Sequence, residues 1–235
     1  MPSVPTGHGG VLGALLLGQQ VVVAEWVPGK RVQSLQTLFV RSGSAELPMR
    51  VDVEQLQSGR SFAFVTLTFR QGDVLVSRAS VPLTADEPDV LRAVASAPPR
   101  GAPGTPVHRT LMPWLARALP SPDPLTVDLL LRVPEVDGEP RTARALLAYL
   151  SELPALQQAV DGLGVPADQG RLPGAVLSQT VTFLEPLDVR EEFRVRVVVP
   201  YVGAGRVLGR GEVFRPDTQL VATFATSGLL RRPPS

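Results

Sequence analysis

The sequence has no cysteine in its 235 residues. That excludes disulfides, thiol nucleophiles and cysteine-ligated metals. It has two histidines, His8 and His108, which are too few for a multi-histidine metal centre within one chain. Lysine is nearly missing too: Lys30 stands alone among basic residues that are otherwise arginine. That bias points to a GC-rich coding sequence, not to a mechanism. The formal net charge is +1, so there is no electrostatic drive toward nucleic acid or an anionic membrane. An uninterrupted membrane-length run is also lacking. The longest apolar stretch, residues 11–24, is broken by Gln19-Gln20, whereas a transmembrane helix needs roughly 18 or more apolar residues. No Lys or Arg precedes Lys30, so the stretch does not read as a secretory signal, and a cytoplasmic location is expected. There is no P-loop and no G-x-S-x-G nucleophile elbow. Gly203-Ala204-Gly205 with Gly209 is a fragment of a dinucleotide loop, but it joins two strands where such a loop must open a helix. No tightly bound cofactor is expected.

What is present begins with a flexible turn, Gly7-His8-Gly9-Gly10, feeding an apolar run from Val11 to Ala24. A helix that is apolar all round must be enclosed on nearly every side. Four strand-like runs follow that can enclose it: residues 31–41, 47–57, 61–70 and 74–83. The second alternates cleanly, with Met49, Val51 and Val53 against Arg50, Asp52 and Glu54. Turns at Pro28-Gly29, Ser58-Gly59 and Gln71-Gly72-Asp73 separate the elements. A long helix wrapped by a curved antiparallel sheet is the predicted unit.

Residues 86–124 differ in texture, with Pro88, Pro98, Pro99, Pro103, Pro106, Pro113, Pro120, Pro122 and Pro124. They read as a linker without regular structure, carrying at most one helical turn at 89–95 and anchored by Leu111, Met112, Trp114 and Leu115. A second set follows: a strand at 125–133, a turn at Val136-Asp137-Gly138, and a helix at 141–153. Pro140 suits the start of that helix, and Pro154 is expected to stop it. Strands are predicted at 175–184, 191–199, 206–214 and 219–229, and then a disordered tail. The two sets correspond: Ser58-Gly59-Arg60 with Ala204-Gly205-Arg206, Phe69-Arg70 with Phe214-Arg215, and Leu75-Val76 with Leu220-Val221. An internal offset of about 145 residues is too long for a solenoid and indicates two tandem copies of one domain. The expected division is 1–85, a linker at 86–124, and 125–235.

His8-Gly9-Gly10-Val11-Leu12-Gly13, Val32-Gln33-Ser34-Leu35, Phe39-Val40-Arg41 and Gly59-Arg60-Ser61-Phe62 resemble the first half of type II (TesB-like) acyl-CoA thioesterases. Arg210-Gly211-Glu212, Leu220-Val221-Ala222-Thr223 and Gly228-Leu229-Leu230-Arg231 resemble that family's end. The resemblance runs from His8 to Arg231 apart from the proline-rich stretch. It implies an α+β double hotdog fold and hydrolysis of fatty acyl-CoA thioesters in fatty acid metabolism, with coenzyme A entering only as part of the substrate. A carboxylate, aided by hydroxyl and amide side chains, would orient the attacking water, and an acyl tunnel would lie between the sheet and the helices.

The N-terminal glycines suit such chemistry. Backbone N–H groups at a helix start converge with the helix dipole and can hold an oxyanion, one donor being worth roughly 3–4 kcal/mol. Gly9 and Gly10 are therefore candidate catalytic residues, and His8, Val11 and Tyr201 candidate substrate-binding residues. By the resemblance the catalytic acid would fall at Ser178, with Gln179 and Thr180 following. The catalytic Gln would fall at Thr226, and the catalytic Thr near Pro200 or Tyr201. All three roles are thus substituted. Ser178, Gln179, Thr180 and Thr226 can hold a water but cannot take its proton, and loss of a general base typically removes roughly 10²–10⁴-fold in rate. Asp52, Glu54 and Glu212 read as solvated or salt-bridged. A protein that binds acyl-CoA or an acyl carrier without hydrolysis is the rival reading. A hotdog hydratase would need paired His and Asp that the sequence does not offer. The second helix is preceded by a strand and the first is not, so either the chain starts late relative to its relatives or the first sheet has one strand fewer. An open sheet edge predicts a homodimer or larger homo-oligomer.

Overall fold

The computed structural model describes residues 10–98, 104–107, 114–152, 154–164, 172–216 and 218–231. The first half comprises α1 (Gly13–Ala24), β1 (Arg31–Val32), β2 (Ser34–Phe39), β3 (Arg50–Ser58), β4 (Phe62–Gln71) and β5 (Val74–Thr84). The second comprises β6 (Thr105–Val107), β7 (Leu115–Leu119), β8 (Thr126–Arg132), α2 (Pro140–Glu152), α3 (Pro154–Gly162), β9 (Gly174–Phe183), β10 (Phe193–Gly203), β11 (Arg206–Phe214) and β12 (Leu220–Leu230). All strands join one antiparallel sheet in the order β3-β4-β5-β2-β9-β12-β11-β10-β8-β7-β6, with β1 paired to β5. The order β3-β4-β5-β2 is mirrored by β10-β11-β12-β9, as the repeat predicts. The join is β2 against β9, with Leu35 opposite Val181 and Thr37 opposite Gln179. Corresponding residues share a fate: Phe69 and Phe214 are both buried, and so are Val76 and Val221.

The first helix is covered by more than its own sheet. It packs on β2, β4 and β5, while its remaining side runs antiparallel along α2. Gly18 marks the closest approach, where an added Cβ would lie 3.2 Å from the carbonyl oxygen of Ala145. The absent side chain is what lets the two helices meet. Burial of α1 therefore depends on both halves. At the far ends of this helix pair, the Glu25 carboxylate accepts from Arg144 Nε at 2.5 Å and Nη2 at 2.8 Å, and from the Val32 backbone N–H at 2.9 Å.

Four expectations need correction. The first helix begins at Gly13, two residues later than the apolar run suggests, because the Val11 N–H donates to the Gly43 carbonyl and Gly10 forms a bridge with Ser44. The proline-rich stretch is not wholly irregular: β6 and β7 extend the sheet beyond β8. Pro106 is accommodated because β6 is the outermost strand, where a missing N–H costs no ladder bond. No helical turn forms at 89–95. That segment runs irregularly and is tied to the second half by the Leu220 N–H to Ala95 O and Ala97 N–H to Thr218 O bonds. Finally, Pro154 ends α2 but also opens α3, as its fixed φ and lack of an N–H suit a first helical position.

Of the four expected anchors, Leu111 and Met112 lie outside the described residues, as does the tail beyond Arg231. Trp114 is buried edge-on against Tyr149, with ring centroids 5.7 Å apart, and Leu115 is exposed. On the opposite edge of the sheet, β3 is exposed along almost its whole length, with Val53 and Leu56 open to solvent. In the second half its counterpart β10 is covered by β8. Among the described residues no strand covers β3. No described helix is long and apolar enough to cross a membrane.

Candidate functional site

Where the halves join, a row of buried polar side chains crosses an otherwise apolar core. Gln20 projects from α1: its Oε1 accepts from Thr37 Oγ1 at 2.6 Å, and its Nε2 donates to Ser77 Oγ at 3.3 Å. Thr37 lies opposite Gln179 across the β2–β9 join. Gln179 Nε2 donates to the Ser151 carbonyl at 3.0 Å, and its Oε1 accepts from Thr226 Oγ1 at 2.8 Å. Gln20, Thr37, Ser77, Ser151, Gln179 and Thr226 are all nearly sealed from solvent. Each hydrogen bond here is stronger than in water, and each would be costly to leave unmade.

Two of the four polar residues expected on β9 and β12 are thus brought into contact, Gln179 with Thr226. Thr180 stands on the other face of β9, since successive strand side chains alternate. It is half-buried and pairs with Gln36 and Ala225. Ser178 is half-buried beside a register shift between Ser227 and Gly228, and pairs with Leu38 and Ser227. Tyr201 is not brought to this row. It stands half-exposed past a bulge in β10, three strands from β9, with Gly203 beneath its hydroxyl. Between them α3 sits on the sheet, held close by Gly209 and Gly228, whose missing side chains make room for Ala155 and Leu156. Val11 is half-buried against the core, and Gly10 is bridged to Ser44. His8 and Gly9 lie outside the described residues, and so does His108.

The structure adds a residue that sequence reasoning missed. Glu152 closes α2 and reaches the first turn of α1, where it accepts a hydrogen bond from the Ala14 backbone N–H. Its Oε1 lies 3.0 Å from where a Cβ on Gly13 would stand, beside the Phe39 ring. Its Oε2 is buried with no hydrogen-bond partner. Burial pushes this carboxyl from an ordinary value of 4.5 up to about 7, against the smaller opposing effect of the Ala14 N–H. Helix α1 has no side-chain cap at Leu12, so Glu152 supplies the carboxylate that its dipole favours. The sequence did hold a signal. A carboxylate at a helix C-terminus opposes its own dipole, and both long helices end in one, Glu25 and Glu152.

The carboxylates weighed from sequence are surface groups. Asp52 pairs with Arg50 at 3.0 Å, and Glu54 and Glu212 are exposed. Gly203-Ala204-Gly205 is a hairpin turn, with positive φ at Ala204 and Gly205, and opens no helix. Among the described residues no cluster of His, Asp or Glu could hold a metal ion. A groove of about 440 Å³ lies over β7 and β8, lined by Trp114, Leu130 and the Arg117–Glu192 ion pair. It is four strands from β9 and does not reach the polar row.

Residues 1–84 match the family model of the acyl-CoA thioesterase N-terminal domain, and residues 76–230 that of the acyl-CoA thioesterase C-terminal domain. Among curated proteins, none matches the sequence. Among solved structures, a tesB protein of Mycobacterium avium subs paratuberculosis superposes with a TM-score of 0.85 at 22% identity, covering 99% of this chain and 91% of that one. An acyl-CoA thioesterase II, TesB2, from Mycobacterium marinum gives a TM-score of 0.83 at 25% identity, covering 94% and 89%. A protein with a hot dog fold from Alicyclobacillus acidocaldarius gives 0.80 at 17%, covering 97% and 90%. The fold is a double hotdog.

Proposed function

Because the chain belongs to the acyl-CoA thioesterase family, we propose that it hydrolyses acyl-CoA or a related acyl thioester to the free acid and CoA, using non-standard residues. The observation that carries this reading is the buried chain Thr226–Gln179–Ser151 at the end of α2, beside the start of α1. Amide and hydroxyl groups fixed in a dry site orient a water without reorganising during reaction. Backbone amides of Gly9, Gly10 and the first turn of α1 stabilise the oxyanion, aided by the helix dipole. His8 and Val11 line the approach of the thioester, and the acyl chain lies between helices and sheet. Ser178 and Thr180 stand on the opposite face of β9 from Gln179 and take no part in holding that water. A thiol-release assay across short to long acyl-CoA chains tests the reading. Turnover with at least one chain length is expected; absence of free thiol with every one would sink it.

A second reading is favoured by one specific feature: β9 and β12 carry no ionisable side chain where the family resemblance places an acid. On that reading the chain binds acyl-CoA or an acyl carrier without turnover. Calorimetry with a nonhydrolysable acyl-CoA separates the two, since tight binding combined with no hydrolysis supports the binding protein alone.

The open edge of β3 supports a homodimer or larger homo-oligomer. Light scattering is expected to give at least twice the 25.1 kDa chain mass. A monomer at high concentration would count against it.

A further inference from the structure

Helix α1 and strands β2, β9 and β12 carry no ionisable side chain along their entire lengths. The carboxylate that reaches the start of α1 comes from α2, and it is Glu152. Its counterpart shows what a structural carboxylate looks like in this fold. Glu25, at the end of α1, faces the first turns of α2 and is neutralised by both arms of Arg144 and by the Val32 N–H. Glu152, at the end of α2, faces the first turn of α1 and has the Ala14 N–H alone, with Oε2 buried and unpartnered. Of the two carboxylates that end the long helices, one is neutralised by a cation and the other is not. A buried, unpaired carboxylate is costly to keep, and such groups concentrate where a protein uses them.

We propose that Glu152 is the general base of this chain's thioester hydrolysis, acting from the end of α2 in place of a strand carboxylate at position 178. The proposal rests on the thioesterase reading. Water held beside Oε2 gives that oxygen its proton as the water oxygen bonds to the thioester carbonyl carbon, and the carbonyl π electrons move to the carbonyl oxygen. The oxyanion then collapses, the carbon–sulfur bond breaks, and the departing thiolate takes the proton back from Glu152. The products are the free acid and CoA thiol, and the carboxylate is regenerated. Gln179 is anchored on Ser151, the residue next to Glu152, so amide and base arrive from adjacent positions of one helix end. Among the elements packed on Glu152, α1 presents Gly13 and Ala14 and β2 presents Phe39, none of them charged. On its own helix the titratable neighbour is Tyr149, whose phenol is pushed up by burial and by the Glu152 charge. Among the described residues no nearby cation therefore holds Glu152 ionised, and its titration falls in the range a base needs at neutral pH.

In the native chain, kcat/KM for acyl-CoA hydrolysis should rise with pH through an inflection near 7. Glu152→Gln should lower kcat roughly 10²–10⁴-fold and abolish the inflection. Binding of a nonhydrolysable acyl-CoA should stay within about threefold, as expected for a group acting only in the transition state. Glu152→Asp should recover part of the rate. A native enzyme that hydrolyses with a flat profile from about pH 5.5 to 8.5, or a Glu152→Gln variant retaining more than about a tenth of native kcat, overturns the assignment and leaves the thioesterase reading standing. A native chain that releases no thiol from any acyl-CoA overturns that reading, and the base with it.

Discussion

Replacing Asp128 by Ala should lower the unfolding free energy by about 3–5 kcal/mol, which makes it the most destabilising single change expected outside the hydrophobic core. The reason is the partner left behind. Arg194 Nε donates to Asp128 Oδ1 at 2.9 Å, and the two side chains are only 4% and 8% exposed. The Arg194 Nη1 donates to the Pro98 carbonyl at 2.6 Å, and Arg196 lies 3.7 Å from the same carboxylate. Without Asp128, a permanently charged guanidinium stays buried with one neutral acceptor, and the cost is that of an uncompensated charge, not of one lost contact. Because Asp128 is on β8, Arg194 on β10 and Pro98 between the halves, the damage should spread to the segment that runs from β5 to β6. Urea denaturation of Asp128→Ala and Asp128→Asn checks this. The amide should lose less, since it still offers Arg194 an acceptor. A loss below about 1 kcal/mol for the alanine would mean that water reaches Arg194.

The second large effect is a stability that depends on pH through one residue. Glu152 holds its proton up to about pH 7 when folded but would release it near 4.5 in the unfolded chain. Between those values the folded state binds the extra proton, so stability falls as pH rises across that window and stays low above it. A displacement of this size corresponds to about 3 kcal/mol. Glu152→Gln keeps the shape and an acceptor for the Ala14 N–H but has no charge to bury. It should therefore be more stable than the native chain at pH 8, by about 1–3 kcal/mol once its unpaired N–H is counted, and no more stable at pH 4.5. Thermal melts of both proteins across that range provide the measurement. Equal stability at pH 8 would mean that Glu152 ionises without penalty. A variant that gains stability while losing turnover would show a site maintained against the stability of the fold.

How much of this was legible beforehand follows the range of each interaction. Alternation along β3, turn residues at Gln71-Gly72-Asp73 and Gly203-Ala204-Gly205, and the all-apolar α1 are local signals, and the elements appear close to where those signals place them, with α1 starting two residues late. Pro154 misled because the same missing N–H that ends a helix also suits the first position of the next. The strands β6 and β7 were hidden because proline-rich residues have no intrinsic strand preference and form strands only where β8 offers an edge.

Composition and pattern alone determined that the chain carries no thiol or multi-histidine chemistry, that it contains one unit twice, and that each unit is a helix under an antiparallel sheet. The family resemblance placed Gln179 and Thr226 among the candidates. Only the tertiary structure decided which candidates meet. Joining β2 to β9 set Gln179 beside Thr37, and pairing β12 with β9 bonded it to Thr226, while Thr180 was left on the other face and Tyr201 three strands away. The antiparallel crossing of α1 and α2 at Gly18 brought Glu152, remote in sequence, onto the helix start that the N-terminal glycines lead into. Burial and partnership are properties of neighbours that no single segment carries, which is why Glu25 and Glu152 look alike in sequence and differ in the fold.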